Sequence, residues 1–299
     1  MEPSIARRLW TALEPYHAMA YFAPEVVSAM KDIGLKGYWM GYFAGRAAPM
    51  GAVPAEVVSA TFFNFHPSLV HRAIPDAWGF AAPADVTAAR TAGVDAALRR
   101  LLGDGAGAPE VVEAVALARR AAAAAGVEGR ALYAGYASLD WPDESAPHLV
   151  LWHALTLLRE HRGDGHVVAL GHAGLDGCEA HVSLVASGAI AREVIQPNRG
   201  WSDEEWDAAA GRLRERGWLN EAADRGDASG DGRGERLSDA GRAERRAIED
   251  HTDRLALGPC EALGEDDCAR LISLVTPLAG RIVKAGAVPI PNPMGAPRP

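Results

Sequence analysis

The chain has 299 residues, nearly half of them apolar, and a formal net charge of −9 at neutral pH. That length suits one large or two medium domains with a sizeable core, and the acidic balance makes the chain a poor generic partner for phosphate backbones. The longest weakly polar run, near 119–129, is alanine-rich and broken by charge, so no membrane span is expected.

Met1-Glu2-Pro3-Ser4 shows no basic stretch followed by an apolar one, so no secretion signal is expected and a cytoplasmic location follows. Cys178, Cys260 and Cys268 lack the CxxC spacing of metal sites and are odd in number. Free thiols in a reducing compartment are the expectation.

In chain order, an amphipathic stretch containing Tyr16-His17-Ala18 leads to Gly34-Leu35-Lys36-Gly37 and then to the aromatic cluster Tyr38, Trp39, Tyr42 and Phe43, followed by Gly45-Arg46. Tyr38 and Tyr42 are four apart, which puts them on one helical face. Phe62-Phe63-Asn64-Phe65-His66 comes next, then a short helix over 67–74, Trp78, and a capped helix over 83–102. Gly103-Asp104-Gly105-Ala106-Gly107 is a linker without the Lys-Ser/Thr of a phosphate cradle. One more helix, over 109–125, closes this half.

The second half opens on an apolar helix over 148–158. It runs into the densest polar cluster of the chain, Arg159-Glu160-His161-Arg162-Gly163-Asp164-Gly165-His166, where the glycines suggest a turn or a close backbone approach. Gly174-Leu175-Asp176-Gly177 follows. Ser202 with Glu205 fits a capping box that opens a helix reaching Arg216. Residues 221–235 are rich in Gly, Asp and Arg and read as a mobile hairpin tip. Helices over 237–257 and 265–284 end the half.

The two halves match. Trp152-His153-Ala154 corresponds to Tyr16-His17-Ala18, and the GLxG turns at 34–37 and 174–177 stand equally far ahead of Trp78 and Trp218. Each half reads helix, helix, helix, short hairpin, long helix, helix. A division into units 1–130 and 131–299 follows. The plain alternative is two unrelated helical halves sharing a common turn.

Arg199-Gly200-Trp201-Ser202-Asp203-Glu204-Glu205-Trp206, Leu213–Leu219 and Leu237-Ser238-Asp239-Ala240-Gly241-Arg242 resemble, in order, the reading helix, the wing start and the following helix of MarR-type winged-helix proteins. Over nearly its whole length, through Tyr42–Gly51, Leu158–Val167 and Asn292-Pro293-Met294-Gly295, the chain resembles the SalK-like (SCO-type) actinobacterial helix-turn-helix family. The resemblance implies a mainly α protein of tandem duplicated winged-helix (MarR-like) units. Such units would form a single-chain pseudo-dimer around one central cleft.

A DNA-reading helix offers Arg, Lys, Asn or Gln to bases and phosphates. The second unit instead places Asp203, Glu204 and Glu205 at the end that would enter the groove, and the first offers only His71 and Arg72. DNA is therefore a disfavoured partner. The preferred one is an aromatic or polyketide-like small molecule of actinobacterial secondary metabolism. His17, Tyr38, Tyr42, Arg46, Phe62, Asn64, His66, His153 and Arg162 are the binding candidates, and ordinary core is the alternative for the aromatics. If the chain is an enzyme, His161, His166, Glu160 and Asp164 are its acid–base candidates. The spacing of these groups matches no metal motif, so no metal is assigned, and the sequence names no cofactor. A ligand-responsive MarR-like regulator that binds DNA is the second reading.

Overall fold

The computed structural model describes residues 1–220 and 235–296, and these are mainly helical. In order, the α-helices are α1 (Ser4–Ala18), α2 (Pro24–Asp32), α3 (Gly37–Ala47), α4 (Ala55–Phe62), α5 (Pro67–His71), α6 (Ala77–Phe80), α7 (Pro83–Leu102), α8 (Pro109–Ala123) and α9 (Ala131–Ala137). There follow α10 (Pro147–His172), α11 (Gly177–Ala186), α12 (Arg192–Ile195), α13 (Asp203–Glu215), α14 (Asp239–Leu255), α15 (Gly258–Leu263) and α16 (Glu265–Lys284).

Local chemistry explains many of the boundaries. Proline at the first position starts α7, α8 and α10, where its missing N–H costs nothing. Helix α16 carries Glu265, Asp266 and Asp267 in its first turn and Arg281 and Lys284 in its last, opposing the helix dipole at both ends. The Ser202–Glu205 capping box is formed as expected, with both reciprocal hydrogen bonds, and Asp176 with Glu179 makes a second one at α11.

Buried apolar side chains form two clusters. The larger gathers residues from α1 to α9, the front of α10, and α15, α16 and the C-terminal segment. The smaller joins the end of α10 to α11, α13 and α14, with Trp206, Leu213 and Trp218 at its centre. Helix α10 is the spine between them. It gives Leu149–Leu158 to the first cluster and Ala169 and Leu170 to the second. The polar cluster 159–166 lies where neither core claims the helix.

Glycines 163 and 165 make no turn, because α10 is continuous through them. A close approach exists at Gly165 alone, where a β-carbon would crowd the Arg130 guanidinium. Arg130 bonds the carbonyls of His161 and Leu255 across this point.

The expected hairpin of the first half is not formed. Residues 77–80 make the helical turn α6, and the Trp78 indole N–H points inward to the Val53 carbonyl at 2.9 Å. In the second half, Leu219 and Leu237 form an antiparallel bridge. It is flanked by Asn220 N–H to Arg236 O at 3.0 Å and Ser238 N–H to Trp218 O at 2.9 Å. No longer strand occurs among the described residues. The hairpin tip expected over 221–235 falls, except for Glu235, outside them.

Candidate functional site

A cavity of about 400 Å³ opens beside the polar stretch of α10. One wall comes from α3, α4 and the segment after α4, with Tyr42, Arg46, Phe62, Asn64 and Phe65. The facing wall comes from α10, with Arg159, Arg162, Asp164 and His166, and from Leu184, Arg245 and Glu249 on α11 and α14. Trp10 and Glu14 of α1, His181 of α11, and Arg199 with Pro293-Met294-Gly295 complete it. The cavity thus lies between the two apolar clusters, where α10 turns polar.

The first wall is built on aromatic packing. Phe43 is fully buried, and Trp39, Tyr42, Phe62 and Phe65 pack around it with ring centroids 5.0 to 6.1 Å from its own. Arg46 lies over the Phe62 ring at 4.2 Å and Arg199 over the Phe65 ring at 4.5 Å. After α4, Phe63 adopts a left-handed backbone, with φ of 57°. That conformation turns the Asn64 carbonyl to accept from the Trp201 indole at 3.0 Å, and His181 Nε2 lies 3.1 Å from the same oxygen.

Behind the surface, Glu160 is wholly buried between Arg46 (3.1 Å) and Arg159 (2.7 Å). Burial alone would raise its pKa. The Arg159 and Arg46 charges outweigh this and hold it far below the usual carboxylate range. Glu14 faces Arg159 at 3.5 Å and accepts from the Trp10 indole at 2.8 Å. There burial wins and its carboxyl is raised. Arg162 pairs with Asp253 at 3.2 Å and Arg245 with Glu249 at 2.8 Å. Burial lifts Asp164 to about 6, although the Tyr133 backbone N–H donates to it. His166 faces Thr252 Oγ1 at 2.9 Å and burial lowers it to about 4.

Tyr42, Arg46, Phe62, Asn64, Arg162, Asp164 and His166 therefore meet in one cavity, and Glu160 stands directly behind it. The other sequence candidates are placed elsewhere. His17 is buried between Thr156 Oγ1 and the Tyr21 hydroxyl, each at 2.9 Å. His153 packs edge-on against Trp141, and His161 against Tyr133. Tyr38 lines a small separate cleft with Arg90. His66 caps α5 and meets Glu205 at 2.9 Å. Sequence reasoning missed Trp10, Glu14, Arg159, His181 and Arg199 as wall residues. Arg159 and Arg199 stood inside segments already singled out, but nothing local marked them as facing a cavity. Among the described residues, no three His, Cys, Asp or Glu side chains converge as a metal-binding group.

The segment whose sequence resembles a DNA-reading helix forms α13. Its buried face is Trp206, Ala209, Ala210 and Leu213, and its exposed face carries Asp203, Glu204, Asp207, Arg212 and Glu215. The arginines of this segment are engaged within the protein. Arg212 bonds Asp176 and Glu179, Arg214 bonds Glu235, and Arg216 bonds the carbonyls of Ala173 and Gly174. No described helix is long and apolar enough to cross a membrane.

No curated protein and no solved structure matches the chain. A helix-turn-helix family profile matches residues 6–289, a span that takes in most of both apolar clusters and of the cavity lining but not Pro293-Met294-Gly295, and the chain belongs to that helix-turn-helix family.

Proposed function

We propose that this protein binds a small molecule with an aromatic or other apolar body in the cavity between its two apolar clusters. The carrying observation is the cavity itself. It holds about 400 Å³, enough for a compact organic ligand, with an aromatic wall on one side and ionisable groups on the other. Asp164 and His166 are the wall groups suited to proton transfer, should the ligand be a substrate.

The scaffold reading is a SalK-like protein whose two halves descend from one winged-helix unit, with a MarR-like second half. Its support is the matched turn: Leu35 N–H bonds Met30 O and Leu175 N–H bonds Leu170 O, so each GLxG closes one helix and opens the next in the same way. Gly217 and Gly286 precede the same closure at Trp218 and Ala287, so the turn is a common helix stop. The parallel rests on position as well as geometry.

A DNA-binding regulator is the second reading, and membership in a helix-turn-helix family is compatible with it. The acidic face of α13 weighs against it, because its carboxylates would meet backbone phosphates.

Two measurements test the proposal. Native mass spectrometry of the protein as isolated should reveal a retained ligand. A thermal-shift panel of aromatic acids, phenols and alcohols should contain stabilising compounds whose effect is lost in Leu184→Trp, which fills the cavity. A chain with no retained mass and no stabilising compound overturns the proposal. Salt-dependent retardation of duplex DNA would favour the regulator.

A further inference from the structure

The charges on the cavity wall do not balance at one position. Five arginines reach the cavity, and four have carboxylate partners: Arg46 and Arg159 share Glu160, Arg162 has Asp253, and Arg245 has Glu249. Arg199 has no carboxylate within 4 Å among the described residues. It is only 7% exposed. Its guanidinium donates to the main-chain oxygens of Asn198 and Pro293, lies on the Phe65 ring, and keeps an Nε–H with no acceptor.

A buried cation without a counter-charge is expensive, so an anion arriving in the cavity would relieve that cost at Arg199. Carbonyl dipoles and an aromatic face offset only part of that cost. Arg46 stands on the neighbouring ring, with the Phe62 and Phe65 centroids 6.5 Å apart, so a second cation adjoins the first. On the same wall the Asn64 side-chain oxygen is buried without a donor. The wall therefore lacks an anion at Arg199 and a hydrogen-bond donor at Asn64.

We infer that the ligand is a small organic acid, its carboxylate seated on Arg199 over Phe65 and an O–H or N–H group directed at Asn64. This rests on the reading that the cavity holds a ligand. A carboxylate accepts two parallel N–H donors from a guanidinium, a geometry a neutral group cannot reproduce. The burial of Arg199 excludes a polymer backbone and suits a molecule the cavity can enclose.

Isothermal titration with three probes tests the inference: 1-naphthoate, the neutral 1-naphthalenemethanol, and inorganic phosphate. The acid should bind the wild-type chain at least about tenfold more tightly than the alcohol. Arg199→Met should remove that preference, while Arg199→Lys should retain part of it. Because the acid–alcohol comparison is made on the wild-type chain, it stands even if a variant misfolds. Equal binding of acid and alcohol overturns the inference and leaves the cavity reading intact. Binding of neither probe overturns the inference, and the thermal-shift panel then decides the cavity reading. Phosphate binding as tightly as the acid would show that the site takes a free inorganic anion, and the organic-acid assignment would fall.

Discussion

Gly177 lies against the carbonyl oxygen of Phe63, and a β-carbon at that position would overlap it. The contact joins the first residue of α11 to the left-handed turn after α4, and that turn carries Phe62, Asn64 and Phe65 into the cavity wall. Backbone on both sides cannot yield as a flexible side chain can. Gly177→Ala is expected to destabilise the protein by about 2–3 kcal/mol and to weaken binding of any cavity ligand. Urea unfolding followed by Trp fluorescence checks the first effect, and an unchanged midpoint would refute it.

Glycines elsewhere should behave in opposite ways. Gly241 opens α14 against the Trp218 carbonyl, where a β-carbon would also overlap backbone, so Gly241→Ala should destabilise by a similar amount. Gly211 sits inside α13 with open space around it. Gly211→Ala should stabilise by roughly 0.5–1 kcal/mol, since alanine is the better helix former. Finding the two variants shifted in the same direction would contradict this account.

Glu160 is the counter-charge for two buried guanidiniums. Glu160→Gln is expected to cost about 3–5 kcal/mol, because Arg46 and Arg159 are left uncompensated. Pairing it with Arg46→Met should cost less than the sum of the two single changes, since one orphan charge is then gone. A double-mutant cycle in urea provides the measurement, and strict additivity would exclude the coupling.

Acid should destabilise the protein in part through its buried histidines, seen in calorimetry as a melting temperature that falls between pH 7 and pH 5. Burial lowers His153, His161 and His166 to about 4. These groups favour the folded state above the ordinary histidine pKa, and that contribution is lost as pH falls towards 4.

Asp164 has the opposite sign. Its carboxyl is raised to about 6 by burial, with Glu160 adding to the rise and the Tyr133 N–H and the Arg46 charge opposing it. Arg130 is the other charge beside it. Asp164 favours the folded state below the ordinary aspartate pKa and loses that contribution as pH rises through 6. Asp164→Asn should therefore gain stability over wild type between pH 5 and pH 8, by roughly 1–1.5 kcal/mol. Melting curves at the two pH values decide it, and a gain that shrinks at pH 8 would be the wrong sign.

Much of the architecture was written locally. Ser202 and Glu205 are three residues apart, and their reciprocal bonds form as soon as the helix does. The prolines that open α7 and α8 and the charged ends of α16 act within a single turn, so a sequence pattern reports them well. The aromatic run from Tyr38 to Phe65 and the polar run 159–166 were also visible as clusters, and both supply cavity residues.

What each residue of those clusters does was settled by partners far along the chain. By sequence Glu160 was an acid–base candidate. It is a buried counter-charge because Arg46 of α3 reaches it from more than a hundred residues away. A short hairpin was expected between the short helix before Trp78 and the helix from 83, but the Trp78 indole donates inward to the Val53 carbonyl and residues 77–80 coil. Among the described residues Arg199 has no carboxylate partner, because Asn198, Pro293 and Phe65 offer it oxygens and a ring. Hydrogen bonds within one helical turn depend on neighbouring residues, so the sequence determined them. Desolvation and charge pairing depend on which distant segments share a space, and only the tertiary structure decided that.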